Sequence, residues 1–228
     1  MLMLKGFLCF HLVFICALVF SAQVYSTKTH AGNSAKDIVD IINKNRTSLK
    51  LPPLYDNPGL GCIALQYAKQ CNDNCTSNNS VTCHPLEDDF TQIFAPDCGV
   101  ELPTFQEISG HIIGCWSKYL EPADAFSEVL IRDNRSLTLL QNKTHTEVGV
   151  GVVSSRTGHF FWCVLFSNAE IQSSFVLEDR GVGIMQKEGC FSGTNITCSE
   201  ANRRTIGIMF SSFLVIFTSF FLFWLLQL

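Results

Sequence analysis

The sequence predicts an α+β domain, stapled by disulfides and carried between two hydrophobic ends that processing removes. Three observations lead there. Apolar residues recur at helical spacing early in the chain and at strand spacing in the last third. Eleven cysteines punctuate 228 residues, several of them in an asparagine- and serine-rich middle without regular pattern. Both ends are apolar.

The first end reads as a secretory signal peptide, residues 1–22. Lys5 supplies the positive start, Phe7 to Phe20 the apolar core, and small residues allow cleavage after Ser21, Ala22 or Ser26. Ser34-Ala-Lys-Asp37 resembles a capping box and opens a helix carrying Ile38, Val39, Ile41, Ile42 and Leu49. Pro52-Pro53 stops it. Asn57-Pro58 starts a second helix, with Leu60, Ile63, Ala64, Tyr67 and Ala68 on one face. From Cys71 to Cys98 the pattern dissolves into a loop region held by disulfides.

Thr104-Phe-Gln-Glu107 is a further capping-box pattern. Phe105, Ile108, Ile112, Ile113, Trp116 and Tyr119 then predict a helix, and Pro122 starts a short one with Phe126, Val129 and Leu130. Val148, Val150 and Val152 alternate with glycine. After the turn "SSRTG" comes "HFFWCVLF", 159–166, so the two runs predict a hairpin. The second run is apolar on both faces, as in a strand covered on both sides. Residues 168–192 are expected to form a stalk.

The chain closes on an uncharged apolar run, Ile206 to Leu228, with Arg203 and Arg204 before it and no charge after it. Small residues, a polar spacer and such a tail fit a glycosylphosphatidylinositol (GPI) signal. Ser192-Gly193-Thr194 fits as the attachment site, making 193–228 a removed propeptide. Ser199-Glu200-Ala201 fits loosely, with a shorter spacer. A type I spanning helix is the alternative. Cutting after Ser192 leaves an even cysteine set: Cys62, Cys71, Cys75, Cys83, Cys98, Cys115, Cys163 and Cys190. Cutting after Ser199 keeps Cys198 and strands one thiol. Eight cysteines allow 105 pairings, so none is assigned.

Without its ends the chain carries 13 basic and 19 acidic residues, near −6, and no basic run. That charge argues against a nucleic-acid partner. Sequons stand at Asn45, Asn74, Asn78, Asn134, Asn142 and Asn195, the last lost if Ser192 bears the anchor. Their density points to a sugar-coated extracellular surface.

Two stretches resemble the CAP superfamily of cysteine-rich secretory proteins, antigen 5 and plant pathogenesis-related proteins. In 42–68, Asn43, Arg46, Pro53, Leu54, Leu60, Ala64, Tyr67 and Ala68 match its first two helices. In 139–167, a leucine pair, "TEVGVGV" and an aromatic strand match its last hairpin. The domain 34–167 with its sequons and tail is also similar to a plant family of small GPI-anchored glycoproteins whose members have no assigned activity. The resemblance implies a three-layer α/β/α sandwich. It also implies a cleft of two histidines and two acidic residues, which this chain lacks. Ile42 replaces the first-helix histidine, a residue that is not a ligand in the family. Arg135 or Ser136 stands where a cleft histidine is expected, and no G-E-N element is recognisable between Cys71 and Cys98. CAP domains often place a paired cysteine on the strand holding Cys163.

No catalytic, metal or cofactor residue is therefore expected. Cys71, Cys75, Cys83 and His84 could ligate zinc, but disulfides suit such a loop better. His159 and Cys163 sit about 13 Å apart along a strand, too far for direct activation. Glu87, Asp88 and Asp89 read as a solvated loop, and Trp116 and Trp162 as core. His145 and Glu147 are two residues apart, on one strand face and within reach of each other. No G-x-S-x-G, H-E-x-x-H or phosphate-binding glycine loop occurs. The expected function is non-enzymatic display at the plasma-membrane surface, binding a protein, wall glycan or lipid. The alternative is a hydrolase with a cleft around His145 and Glu147.

Overall fold

The computed structural model describes residues 32–100, 108–172, 174–177, 189–195 and 197–198. The first helix, α1, spans Ser34–Ser48. Asn33, not Ser34, is its N-cap, and its side chain accepts from the Ala35 and Lys36 N–H groups. Ser34 is buried instead. Helical periodicity places Ala35, Ile38, Val39 and Ile42 on the inner face. After β1 (Tyr55–Asp56), α2 runs Pro58–Gln70, and Asn57 caps it through its side chain as expected.

The middle is more helical than its composition implied. Residues 87–98 form α3 in three pieces: Glu87–Asp89, the π-helical Phe90–Phe94 and Ala95–Cys98, closed by Gly99 in the left-handed region. The helix expected around Ile108 to Tyr119 is instead a strand, β2, Ile108–Trp116. It packs on both faces, with Ile112 on one and Ile113 and Cys115 on the other, so its apolar residues do not alternate. Apolar positions at 108, 112, 113 and 116 then mimic a helical stripe. The capping-box residues Thr104 to Glu107 lie outside the described residues.

Helix α4 covers 122–130, as Pro122–Ala125 and a π-helical Phe126–Leu130. Helix α5, Asn134–Gln141, was not anticipated; Asp133 caps it. The predicted hairpin is present as β3, Glu147–Ser154, and β4, Phe160–Ser167. A two-residue strand, β5, Cys190–Phe191, follows.

The sheet order is β1-β3-β4-β2, with β5 beside β1 on the same edge of β3. β1 pairs parallel to β3, and the other pairs are antiparallel, so the sheet is mixed. One core lies between the sheet and α2 and α3, with Leu60, Ile63, Tyr67, Phe94, Phe161 and Leu165. The other lies under α1, α4 and α5, with Ile38, Leu130, Leu140, Val150, Trp162 and Phe166. The result is an α/β/α sandwich.

Helix α2 approaches β3 through two glycines. A Cβ on Gly149 would lie 2.2 Å from the Gly61 nitrogen, and one on Gly151 would lie 2.2 Å from the Leu65 nitrogen. Both obstacles are backbone, so the helix itself would have to move. We expect Gly151→Ala to cost about 3 kcal/mol, the upper end of overpacking. Denaturant unfolding with disulfides intact measures it; a cost below ~1 kcal/mol would mean that α2 is not seated this tightly.

Candidate functional site

His145 and Glu147 do not share a face. His145 stacks on Phe166, ring centroids 4.8 Å apart, on the side covered by α1 and α5. Its Nδ1 hydrogen-bonds the Ser109 hydroxyl at 2.7 Å. Ser109 sits at an irregularity in β2, where the register with β4 shifts between Ile108 and Gly110. Gly110 makes room for the ring: a Cβ there would meet Leu139 Cδ2 at 2.7 Å and the His145 ring at 3.7 Å. Burial, aided by the nearby Arg46 charge and partly opposed by the Leu139 carbonyl, lowers the His145 pKa to about 4. The ring is therefore neutral at pH 7 and a weak base.

Glu147 is fully buried on the α2 side. Its Oε1 accepts from the Asn57 side chain at 3.1 Å and from the Gln172 N–H at 2.9 Å. Asn57 also donates to the Ser174 carbonyl. The carboxylate thus ties the loop after β4 to the start of α2. Within that loop Gln172 and Phe175 adopt positive φ, and Phe175 is buried against Gly59. The strand alternation read from the sequence fails at His145 because β3 begins only at Glu147.

The matched motif residues do structural work. Asn43 donates to and accepts from the Leu54 backbone, at 2.9 and 2.7 Å. Arg46 is fully buried; it donates to the carbonyls of Pro52, Leu140 and Asn142. It thereby joins α1, the proline turn and the end of α5. Tyr67 packs edge-on against Phe90 and His111, and burial raises its pKa. Ser136, where a cleft histidine was expected, donates its backbone N–H to the Asp133 side chain. Trp162 is core, as read, and Trp116 packs against the same cluster.

The cysteines pair as Cys62–Cys98, Cys71–Cys83, Cys75–Cys115 and Cys190–Cys198. Cys163, expected in a bridge, is free and fully buried on β4, and burial pushes its thiol well up. His159 is occupied in the hairpin turn with Thr157 and Ser155. Cys71, Cys75 and Cys83 are consumed by bridges. Among the described residues no group of three or more His, Cys, Asp or Glu side chains could hold a metal.

The expected stalk is part of the fold wherever it is described. Ser192, the expected anchor site, is fully buried. Its N–H donates to the Val150 carbonyl, and its Oγ accepts from the Val150 N–H. Gly193 N–H donates to Asp56, and Asn33 holds the carbonyls of Phe191 and Thr194. The Cys198 N–H reaches the Gly32 carbonyl. A cut after Ser192 would remove Cys198 and leave Cys190 without its partner. Because Cys163 is free, an even count of cysteines does not mean that all of them pair.

Among the sequons, Asn74, Asn78, Asn134 and Asn195 are exposed, while Asn45 and Asn142 are half-buried. Among the described residues no helix is long and apolar enough to cross a membrane; the tail 206–228 lies outside them.

This disulfide-stapled α/β/α sandwich is a CAP domain. The chain belongs to the cysteine-rich secretory protein (CAP) family, whose model matches residues 39–166, more than half of it. An outer surface protein from Borrelia burgdorferi is similar at 15% identity and TM-score 0.44, covering 60% of this chain and 93% of that one. An extracellular SCP-domain protein from Bacillus anthracis is similar at 15% identity and TM-score 0.42, covering 60% and 40%. A cysteine-rich secretory protein from Staphylococcus aureus is similar at 12% identity and TM-score 0.39, covering 63% and 40%. No curated protein matches the chain by sequence.

Two outcomes follow. Alkylation of the unfolded, unreduced domain should label one thiol, Cys163, and alkylation of the native domain none; a second reactive cysteine would break the pairing. Because folding lowers the His145 pKa, the unfolded chain binds a proton first as pH falls. The His145 contribution to stability should therefore fall by on the order of 3 kcal/mol between about pH 6.5 and pH 4. His145→Phe should remove that part of the pH dependence.

Proposed function

We propose that this CAP domain is a non-enzymatic binding and display module. It is held on the outer face of the plasma membrane by a GPI anchor and coated by N-linked sugars. Its partner is an extracellular protein, a wall glycan or a lipid. The observation that carries this reading is the separate use of His145 and Glu147. One is a neutral, stacked ring on one side of the sheet, and the other a buried carboxylate that fixes a loop on the opposite side. General acid–base catalysis needs such groups to converge on one substrate atom.

The Ser109–His145 hydrogen bond favours a hydrolase at first sight. A nucleophilic triad, however, sets a carboxylate on the second ring nitrogen to hold the imidazolium that forms. Here no carboxylate bonds the His145 Nε2, and Arg46 adds positive charge nearby. The pair serves better as a staple at the β2 irregularity.

The test uses cells that make the full chain. Treatment with phosphatidylinositol-specific phospholipase C should move the protein from membrane to medium. Protein that stays in the membrane with an unmodified C-terminus would make the tail a spanning helix. The released protein should not hydrolyse ester, peptide or glycoside probes; turnover that disappears in Ser109→Ala would restore the hydrolase reading.

A further inference from the structure

We propose that the anchor is attached at Ser199, so that the segment 189–198 stays in the mature protein as a folded clasp. The inference rests on the anchored reading above and adds the modified residue. Four features of the clasp carry it. β5 pairs with β3 through Gly151–Phe191 and Val152–Cys190. Ser192 continues that pairing with both its N–H and its Oγ on Val150, and is fully buried. The Ser192 carbonyl lies so close to α2 that a Cβ on Gly61 would meet it at 2.7 Å. Cys198, further along the chain, bonds Cys190.

An anchor at Ser192 would place a phosphoethanolamine where the chain is packed between β3 and α2. It would also delete the residues that hold Asp56, Asn33 and Gly32. Beyond Cys198 in the sequence, Ser199-Glu200-Ala201 is the next triplet with small residues at its first and third positions, and a cut there keeps every contact named above. Its spacer up to Ile206 is shorter than the usual ~8–12 residues. The folded clasp decides between the two sites.

The chemistry is a transamidation. The Ser199–Glu200 peptide bond breaks, the terminal amine of a preformed ethanolamine-phosphate glycolipid takes the Ser199 carbonyl as a new amide, and 200–228 leaves with a free amine on Glu200. Atoms balance without an oxidant or reductant.

The experiment is mass spectrometry of mature protein purified from membranes of cells expressing the full chain. The expected C-terminal peptide ends at Ser199 with ethanolamine on its carboxyl, contains Asn195 and remains bridged to Cys190. An ethanolamine at Ser192 or any other residue overturns the assignment. A C-terminus without ethanolamine overturns the anchored reading itself, a different result. Ser199→Pro should lower phospholipase-releasable surface protein at least tenfold while disulfide-bonded protein is still made. Ser192→Ala, which keeps the Ser192 N–H bond to the Val150 carbonyl and gives up only the Oγ bond, should leave release unchanged; the reverse pattern also overturns the proposal.

Discussion

Helix α2 rests on β3 backbone to backbone, and this contact fixes where the rest of the domain can go. Two glycines in the strand leave the helix no side chains to ride on, so its axis drops onto the sheet. Neighbouring pieces are positioned by the same seat. Asn57 at the helix start donates to Glu147 of the strand, and Gly59 and Gly61 let the Phe175 loop and Ser192 lie against the first turn. Dispersion at such short range is lost quickly with any gap, which makes the arrangement close to all-or-none.

Three bridges work around that seat. Cys62–Cys98, Cys71–Cys83 and Cys75–Cys115 all tie the segment after α2, to α2 itself, within the loop, or across to β2. A polar, asparagine-rich stretch cannot bury enough apolar surface to order itself. The bridges supply that order by restricting the unfolded chain. On the other face Arg46 does the comparable work with three carbonyl acceptors and no sulfur.

Much of this was readable in advance where local chemistry decides. Asn57-Pro58 announced α2, alternating valines announced β3, and "FFWCVLF" announced a strand covered on both sides. β2 was misread because a two-sided strand carries no period of two; Gly110 and Gly114, facing Leu139 and Val129, were the signals for close packing. Ser109 was missed because its role depends on a register shift that only the sheet reveals. Clasp and free Cys163 were hidden for a related reason. Pairing of Cys190 with Cys198 and the burial of Ser192 are set by long-range partners, Val150 and Gly32, which spacing along the chain does not encode.

The bridge between Cys190 and Cys198 also has a mechanical side. Traction applied beyond Cys198 travels through sulfur to Cys190, so the intervening loop lies outside the line of load. The contacts of Phe191, Ser192 and Gly193 are then spared when the domain is tugged from its C-terminal end. Reduction of this single bond would put those hydrogen bonds in series with the force, and the edge strand would peel first.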